Sequence, residues 1–316
     1  MAIHNRITDM LGVEYPIVQA PMGWIARSQL AAAVSNAGGM GIIETSSGEL
    51  GAIREEIAKM RQLTSKPFGV NIAHAFVREP DIINFVIDQG IKFVTTSAGD
   101  PAKACAQLKA GGLTVFHVVP TLRQALKAVE AGVDGLIVEG GEGGGFKNPQ
   151  PVMSMVLLPL VRSHTSVPII AAGGICDGST MAAAFALGAE GVQMGTRMVA
   201  SAESPVHANW KQAILNAAET DTVFLNQFSK PALRALRTAK TSRLEHDAGP
   251  NIMSEFGHAL DLYFGGDMEA SIALSGQVAG RITSIEPVAK ILGDTMAEFN
   301  AVMGELARKY APVAAA

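Results

Sequence analysis

The 316-residue sequence is poor in the residues that mark several large protein classes. It has two cysteines, Cys105 and Cys176, too few and too isolated for a disulfide framework or a zinc site. No metal is therefore expected, and the chain reads as one from a reducing cytoplasm. Charged residues make up only 17%, and a net charge of −4 gives no electrostatic grip on nucleic acid or an anionic membrane. No apolar run approaches the roughly 18 residues of a membrane span. The opening MAIHNRITDMLG lacks the apolar centre of a signal peptide. Aromatics are scarce at 5%, yet hydrophobic residues reach 48%, so a large, dry, mainly aliphatic core is expected. The expected partner is a small molecule, and nothing in the composition argues against a homodimer.

What is present is a repeat. Strand candidates fall at 16–20, 40–43, 67–71, 91–95, 113–118, 134–139, 167–172 and 191–195. Most are short apolar runs without strict alternation, as suits parallel strands buried on both faces. Helical patterns such as AAAVSNAGG, RQALKAVEAG and TMAAAFALGAE separate them, and glycines close several of these segments as helix stops. The regular βα repeat predicts an α/β fold, a closed (β/α)8 TIM barrel, over a doubly wound sheet. The absence of a G-x-G-x-x-G turn after the first strand agrees, since that strand runs into Pro21, Met22, Gly23 and Trp24. After Thr196 the pattern changes. Residues 201–284 hold helix-like stretches (ANWKQAILNAAE, KPALRALRTAK) and no convincing strand, and read as a mostly helical lid or insertion. Residues 287–310 read as one amphipathic closing helix. The expected organisation is a barrel of residues 1–200 and 285–312, a lid of 201–284, and a disordered PVAAA tail.

The most informative stretch is 169–196, IIAAGGICDGSTMAAAFALGAEGVQMGT. Two apolar strands each end in a glycine-bearing turn, Gly173 with Gly174 and Gly195 with Thr196. Glycine lets the backbone approach an anion closely, and N–H groups at a turn or helix start complement phosphate charge. Two such turns from consecutive βα units late in a barrel predict a phosphate site. A second signal is the run Gly140, Gly141, Glu142, Gly143, Gly144, Gly145 after the sixth strand, followed by Phe146 and Lys147. So many glycines cost chain entropy, and close passage of a planar ligand would explain them. A mobile surface loop is the plainer alternative.

These segments resemble the nitronate monooxygenase (2-nitropropane dioxygenase-like) family, with its relatives the FMN-dependent enoyl-acyl-carrier-protein reductases and NADH:quinone reductases. The matching pieces are PIVQAPMGW, AAAVSNAGG, KPFGVNI, VEGGEGGGF, VPIIAAGGICDG, GAEGVQMGTR and ESPVH, which span nearly the whole chain. The resemblance implies non-covalent FMN over the barrel mouth. Ala20, Pro21 and Met22 would line the flavin through their backbone, with Gly144 and Gly145 alongside. Asn71 would reach the ring edge or ribityl chain, and Glu139 would take the acidic ribityl-contact position. Gly173, Gly174, Gly195 and Thr196 would hold the phosphate. Trp24 and Lys147 are candidate substrate contacts.

Two positions depart from the family pattern. Phe146 stands where many relatives carry a histidine near the reactive centre, and phenylalanine cannot exchange a proton. Val118 stands where some place a flavin-contacting lysine. His74, just past the third strand, is the best-placed replacement base, with a structural role as the alternative. Strand alternation turns His117 away from the ligand. Glu142 either moves a proton or fixes the loop, and Tyr263 either donates a proton or packs.

The leading expectation is an FMN-dependent oxidoreductase that oxidises alkyl nitronates with O2, since a substrate already anionic needs no strong base. The alternative is an enzyme that takes electrons from transiently bound NAD(P)H and acts on an enoyl or acyl thioester or a quinone. A flavin-binding protein with little catalysis, and a barrel for another phosphorylated metabolite, are readings of other classes. Gly174→Asp is expected to expel FMN, because a carboxylate at the turn crowds and repels the phosphate. Stoichiometric flavin in that purified variant, read from its visible spectrum, would show that the phosphate lies elsewhere.

Overall fold

The computed structural model describes residues 3–48, 50–76, 81–246 and 252–310, so the PVAAA tail lies outside the described residues. Eleven strands run in chain order: β1 (Ile17–Gln19), β2 (Gly41–Ile43), β3 (Phe68–Ala73), β4 (Phe93–Ser97), β5 (Thr114–Val119), β6 (Gly135–Glu139), β7 (Gly145–Lys147), β8 (Ile169–Ala172), β9 (Gly191–Met194), β10 (Thr222–Leu225) and β11 (Ala232–Leu236). Eight of them form a parallel sheet in the order β1-β9-β8-β6-β5-β4-β3-β2. A parallel bridge between Val18 and Met40 joins its two edges, with Gln19 N donating to Met40 O and Met40 N to Ile17 O. The chain thus folds as a near-closed TIM barrel, and all eight strand candidates supply barrel strands.

Alternation along each short strand sorts the side chains into two apolar layers. Val18, Ile42, Phe93, Phe116, Ile137 and Ile170 fill the barrel, and Ile7 and Leu11 of helix Arg6–Leu11 plug its N-terminal pole. Ile17, Ile43, Val70, Val94, Val115, Val138 and Val192 face outward onto the helices. The opposite pole, where the strands end, carries the polar side chains.

Helix Val288–Tyr310 closes the chain, close to its expected bounds. It lies against helix Gly178–Ala186 so tightly that a Cβ on Gly178 would fall 2.2 Å from Phe299 N and 2.4 Å from Thr295 O. Gly178 N donates to Glu298 Oε2, and the Phe185 and Phe299 rings meet edge-on at 5.0 Å. Among the described residues no helix is long and apolar enough to cross a membrane.

The segment 201–284 corrects the sequence reading. Beside its helices, the segment where no strand was expected contains β10 and β11, which pair antiparallel with each other and, through β11, with β7. The stretch PALRALR consists of good helix formers, but it also alternates with period two. Leu233 and Ala235 bury themselves with Val223, Leu225, Leu244 and Ile272 in a third apolar cluster. Strand pairing and burial outweigh intrinsic propensity here, because propensity differences are only tenths of a kcal/mol per residue. The insertion is therefore tied to the glycine run by a backbone ladder.

Gly178→Ala should loosen the closing helix at a cost of about 1–3 kcal/mol, the usual range for overpacking. Urea unfolding at matched FMN saturation measures this, and an unchanged midpoint would contradict the contact.

Candidate active site at the mouth of the barrel

The glycine run leaves β6 and folds back over the strand ends. Gly140 N donates to Ala172 O, and Gly141 N to Val152 O. A Cβ on Gly173 would sit 2.8 Å from Gly140 O and 3.0 Å from Gly143 N, so the glycine turn after β8 lies under the run. From the other side the insertion presses on it. A Cβ on Gly144 would sit 2.6 Å from the carbonyl carbon of Ser275, and Gln277 N donates to Glu142 O. These glycines first serve chain-on-chain packing, which excludes the reading of a loose surface loop.

Side chains complete the clamp. Lys147, with 3% of its side chain exposed, places Nζ 2.6 Å from Glu139 Oε1. It also donates to Gly144 O at 2.9 Å and Phe146 O at 3.3 Å. All three ammonium protons are thus engaged within the loop. Glu142 accepts from Ser154 N and Oγ at the start of helix Ser154–Arg162. Arg234 on β11 reaches under the run, donating from Nε to Gly141 O at 2.8 Å and from Nη1 to Thr222 Oγ1.

Gly173 and Gly174 have φ of +83° and +79°, the left-handed region that glycine enters without a Cβ penalty. Gly195 turns the end of β9 into the short helix Thr196–Val199, and a Cβ on it would lie 3.5 Å from the Cβ of Ala20 and 3.9 Å from the sulfur of Met22. The Gly195 turn and the loop after β1 therefore meet, and the Gly173 turn ends the adjacent strand β8. Thr196 Oγ1 accepts from Gly276 N, which brings the insertion to the same place. Among the described residues no acceptor takes the N–H of Gly174, Gly195 or Thr196. Asn71, within β3, alternates with the outward-facing Val70 and Ile72 and donates to Thr95 Oγ1 at 2.9 Å.

Three contributors were not legible beforehand. Gln193 pairs in register with Val18 and Ala172, both inside the barrel, and its buried Oε1 has no partner among the described residues. A lone amide in the apolar run GVQMG was the available signal. The second is Arg234, read as helical. The third is Glu44, fully buried, which accepts from Trp24 N and Arg27 Nε through Oε1, and from Ser46 Oγ and Ser47 N through Oε2. Its carboxylate holds Trp24 at φ +60°, an uncommon conformation for a bulky residue.

The aromatic and histidine candidates separate. Phe146 stacks with Phe76 at 4.9 Å and Phe256 at 6.0 Å, an apolar cluster built from the glycine loop, the β3 loop and the insertion. Val118 packs with the barrel interior, whereas His117 faces outward with Nδ1 2.7 Å from Thr96 Oγ1. Burial pulls the His117 pKa down to about 4, so it is neutral at physiological pH. His74 packs against Gly99 in the loop after β4; its pKa is lowered by burial and its Nε2 has no partner among the described residues. Tyr263 is buried between Trp24 and Trp210, and burial raises its pKa, aided by Glu44. The Cys176 thiol is pushed up to about 12 by burial and stays protonated.

Residues 4–298 match the family described as nitronate monooxygenase. The chain belongs to that family. FMN is compatible with the residues at the mouth: two left-handed glycines, turn amides with no acceptor among the described residues, and a buried Gln193 oxygen with no partner among them. The protein is thus an FMN-binding TIM-barrel oxidoreductase, related also to FabK-type enoyl reductases. The solved FabK structure from Thermotoga maritima is 40% identical, covers 98% of this chain and 99% of that one, and superposes with a TM-score of 0.92. A nitroalkane oxidase from Streptomyces ansochromogenes is 25% identical over 96% and 100% of the two chains, with a TM-score of 0.83. Among curated proteins, (3aS,4S,5R,7aS)-5-hydroxy-7a-methyl-1-oxo-octahydro-1H-indene-4-carboxyl-CoA dehydrogenase of Rhodococcus jostii is 36% identical over 77% of this chain and 69% of its own length. A probable nitronate monooxygenase of Staphylococcus aureus is 30% identical over 95% and 98%.

Lys147→Met keeps most of the side-chain volume but leaves Glu139 and two carbonyls without their donor. Breaking this clamp should cost about 1–3 kcal/mol of stability and weaken FMN binding about tenfold or more. Urea unfolding and recovery of free-FMN fluorescence report the two effects. Wild-type FMN affinity in this variant would show that the clamp does not shape the cofactor site.

Proposed function

We propose that this protein is an NAD(P)H-dependent flavin enzyme that reduces an enoyl or acyl thioester, in place of the nitronate oxidation favoured by sequence alone. The observation that carries this reading is the full-length similarity to FabK, at 40% identity against 25% for the nitroalkane oxidase. The 36% identity to a CoA-thioester dehydrogenase points the same way. In this reading the amides of Gly173, Gly174, Gly195 and Thr196 hold the phosphate of FMN, Asn71 and Glu139 face its ribityl side, and Ala20, Pro21, Met22, Gly144 and Gly145 flank the ring through their backbone. Gln193 joins this set as a further polar contact. Bound FMN supplies acceptance of hydride from the nicotinamide and its delivery to the substrate.

The chain's own part is to position and to exclude water. Phe146, Phe76 and Phe256 give the mouth an apolar wall suited to an acyl chain, and aromatic faces pack such chains without a polar cost. Phe146 offers no base for deprotonating a neutral nitroalkane. The ammonium of Lys147, spent on the glycine loop, acts as a clamp on the site rather than as a hook for substrate anions.

The test is anaerobic. NADH or NADPH should bleach the visible band of the bound flavin, and crotonyl-CoA should restore it. Propyl nitronate with O2 should turn over at least about 100-fold less efficiently, a difference of about 2.7 kcal/mol in the barrier. Efficient nitronate oxidation with no bleaching by either nicotinamide would overturn the assignment in favour of the monooxygenase.

A further inference from the structure

We propose that a cleft outside the barrel mouth, bounded by Trp24, binds the pantetheine arm of the thioester; this rests on the thioester reading above. The cleft measures about 550 Å³ and lies between the start of helix Ser28–Asn36, the middle of helix Leu50–Leu63 and the two ends of helix Ala259–Tyr263. Trp24 lines it and stands two residues after Met22, in the loop that meets the Gly195 turn. One short loop therefore borders both the flavin site and the cleft, as a thioester reaching from one to the other requires.

Trp24 is held there against its own backbone preference. Its φ of +60° costs on the order of 1–2 kcal/mol. The buried Glu44 carboxylate takes its N–H at 3.2 Å, and the Tyr263 ring meets its indole edge-on at 5.9 Å. Strain fixed in this way is characteristic of ligand clamps.

The walls select the ligand. Leu260 and Phe264 leave 49% and 45% of their surface exposed here, forming an apolar side with Trp24. The exposed Gln29 amide and the Glu56 carboxylate, which can accept beyond its bonds from Ser28 and Lys59, form the hydrogen-bonding side. The cations are already balanced: Arg27 Nε sits 2.9 Å from Glu44, and Lys59 Nζ 2.8 Å from Glu56. Glu56 also accepts from Ser28 N, so the start of helix Ser28–Asn36 is occupied by a carboxylate. A phosphate-rich dinucleotide gains little from such a site. The pantetheine arm is neutral, with two amides, a dimethyl-bearing carbon and short methylene runs, and matches one apolar and one hydrogen-bonding wall. The same arm is carried by CoA and by acyl carrier protein.

The experiment is titration calorimetry of the FMN-loaded enzyme with pantetheine, CoA, pantetheinylated acyl carrier protein and NADPH. Gln29→Trp fills the cleft from an exposed position, and Leu260→Ser removes part of its apolar wall without touching the fold's core. Both should weaken pantetheine and CoA at least about tenfold and leave NADPH unchanged. Tighter binding of the carrier protein than of CoA, or the reverse, identifies which source supplies the arm. Unchanged pantetheine affinity in both variants, or a loss of NADPH binding instead, overturns the proposal. Because binding is read without turnover, an enzyme that holds pantetheine in the cleft yet reduces no thioester would sink only the functional reading.

Discussion

The contact on which the mouth depends is backbone against backbone. Gly140, Gly143 and Gly144 lie between the Gly173 turn on one side and Ser275 with Gly276 on the other, at distances that leave no room for a Cβ. The barrel, the glycine run and the insertion are three layers pressed together there. A side chain on Gly144, Gly173 or Gly276 would meet backbone of the facing layer and force the layers apart. The Glu139–Lys147 pair then fastens the run to the end of β6, while Arg234 holds it from beneath. Charged groups buried this deeply are tolerated because each has a charge or a carbonyl to answer it.

That arrangement gives the insertion a role different from that of a lid resting on a finished barrel. Its strand β11 continues the ladder begun by β7, so the residue that ends the glycine run, Phe146, is also a strand residue opposite Leu233. The aromatic wall of the mouth is thus set by sheet register. Shifting that register by one residue would turn Phe146 away from Phe76 and Phe256. On the far side of the mouth the loop after β1 is equally constrained, through Glu44 and the strained Trp24. The barrel mouth is framed by two edges, the aromatic cluster around Phe146 and the loop after β1.

The barrel was legible because its strands are short, apolar and evenly spaced, and because hydrophobic runs of that length have few other uses. The turn glycines were legible for a local reason: consecutive left-handed residues demand glycine whatever surrounds them. Even the outward direction of His117 followed from parity with Val118. The two strands of the insertion were not legible, since Ala, Leu and Arg favour helices in isolation and only pairing with β7 reverses that preference. Nor was the partnership of Lys147 with Glu139, which a loop of unknown path could not reveal.

By itself the sequence determined what local chemistry controls: where strands and helices alternate, where the chain must turn left-handed, and which positions lack a proton to exchange. Tertiary structure alone decided what depends on distance across the fold. It brought Ser275 and Gly276 onto a glycine run more than a hundred residues earlier, left the Gln193 oxygen without a partner among the described residues, and engaged every proton of the Lys147 ammonium. The division has a physical cause. Backbone conformation is governed by neighbours along the chain, whereas burial, pairing and close approach are governed by neighbours in space.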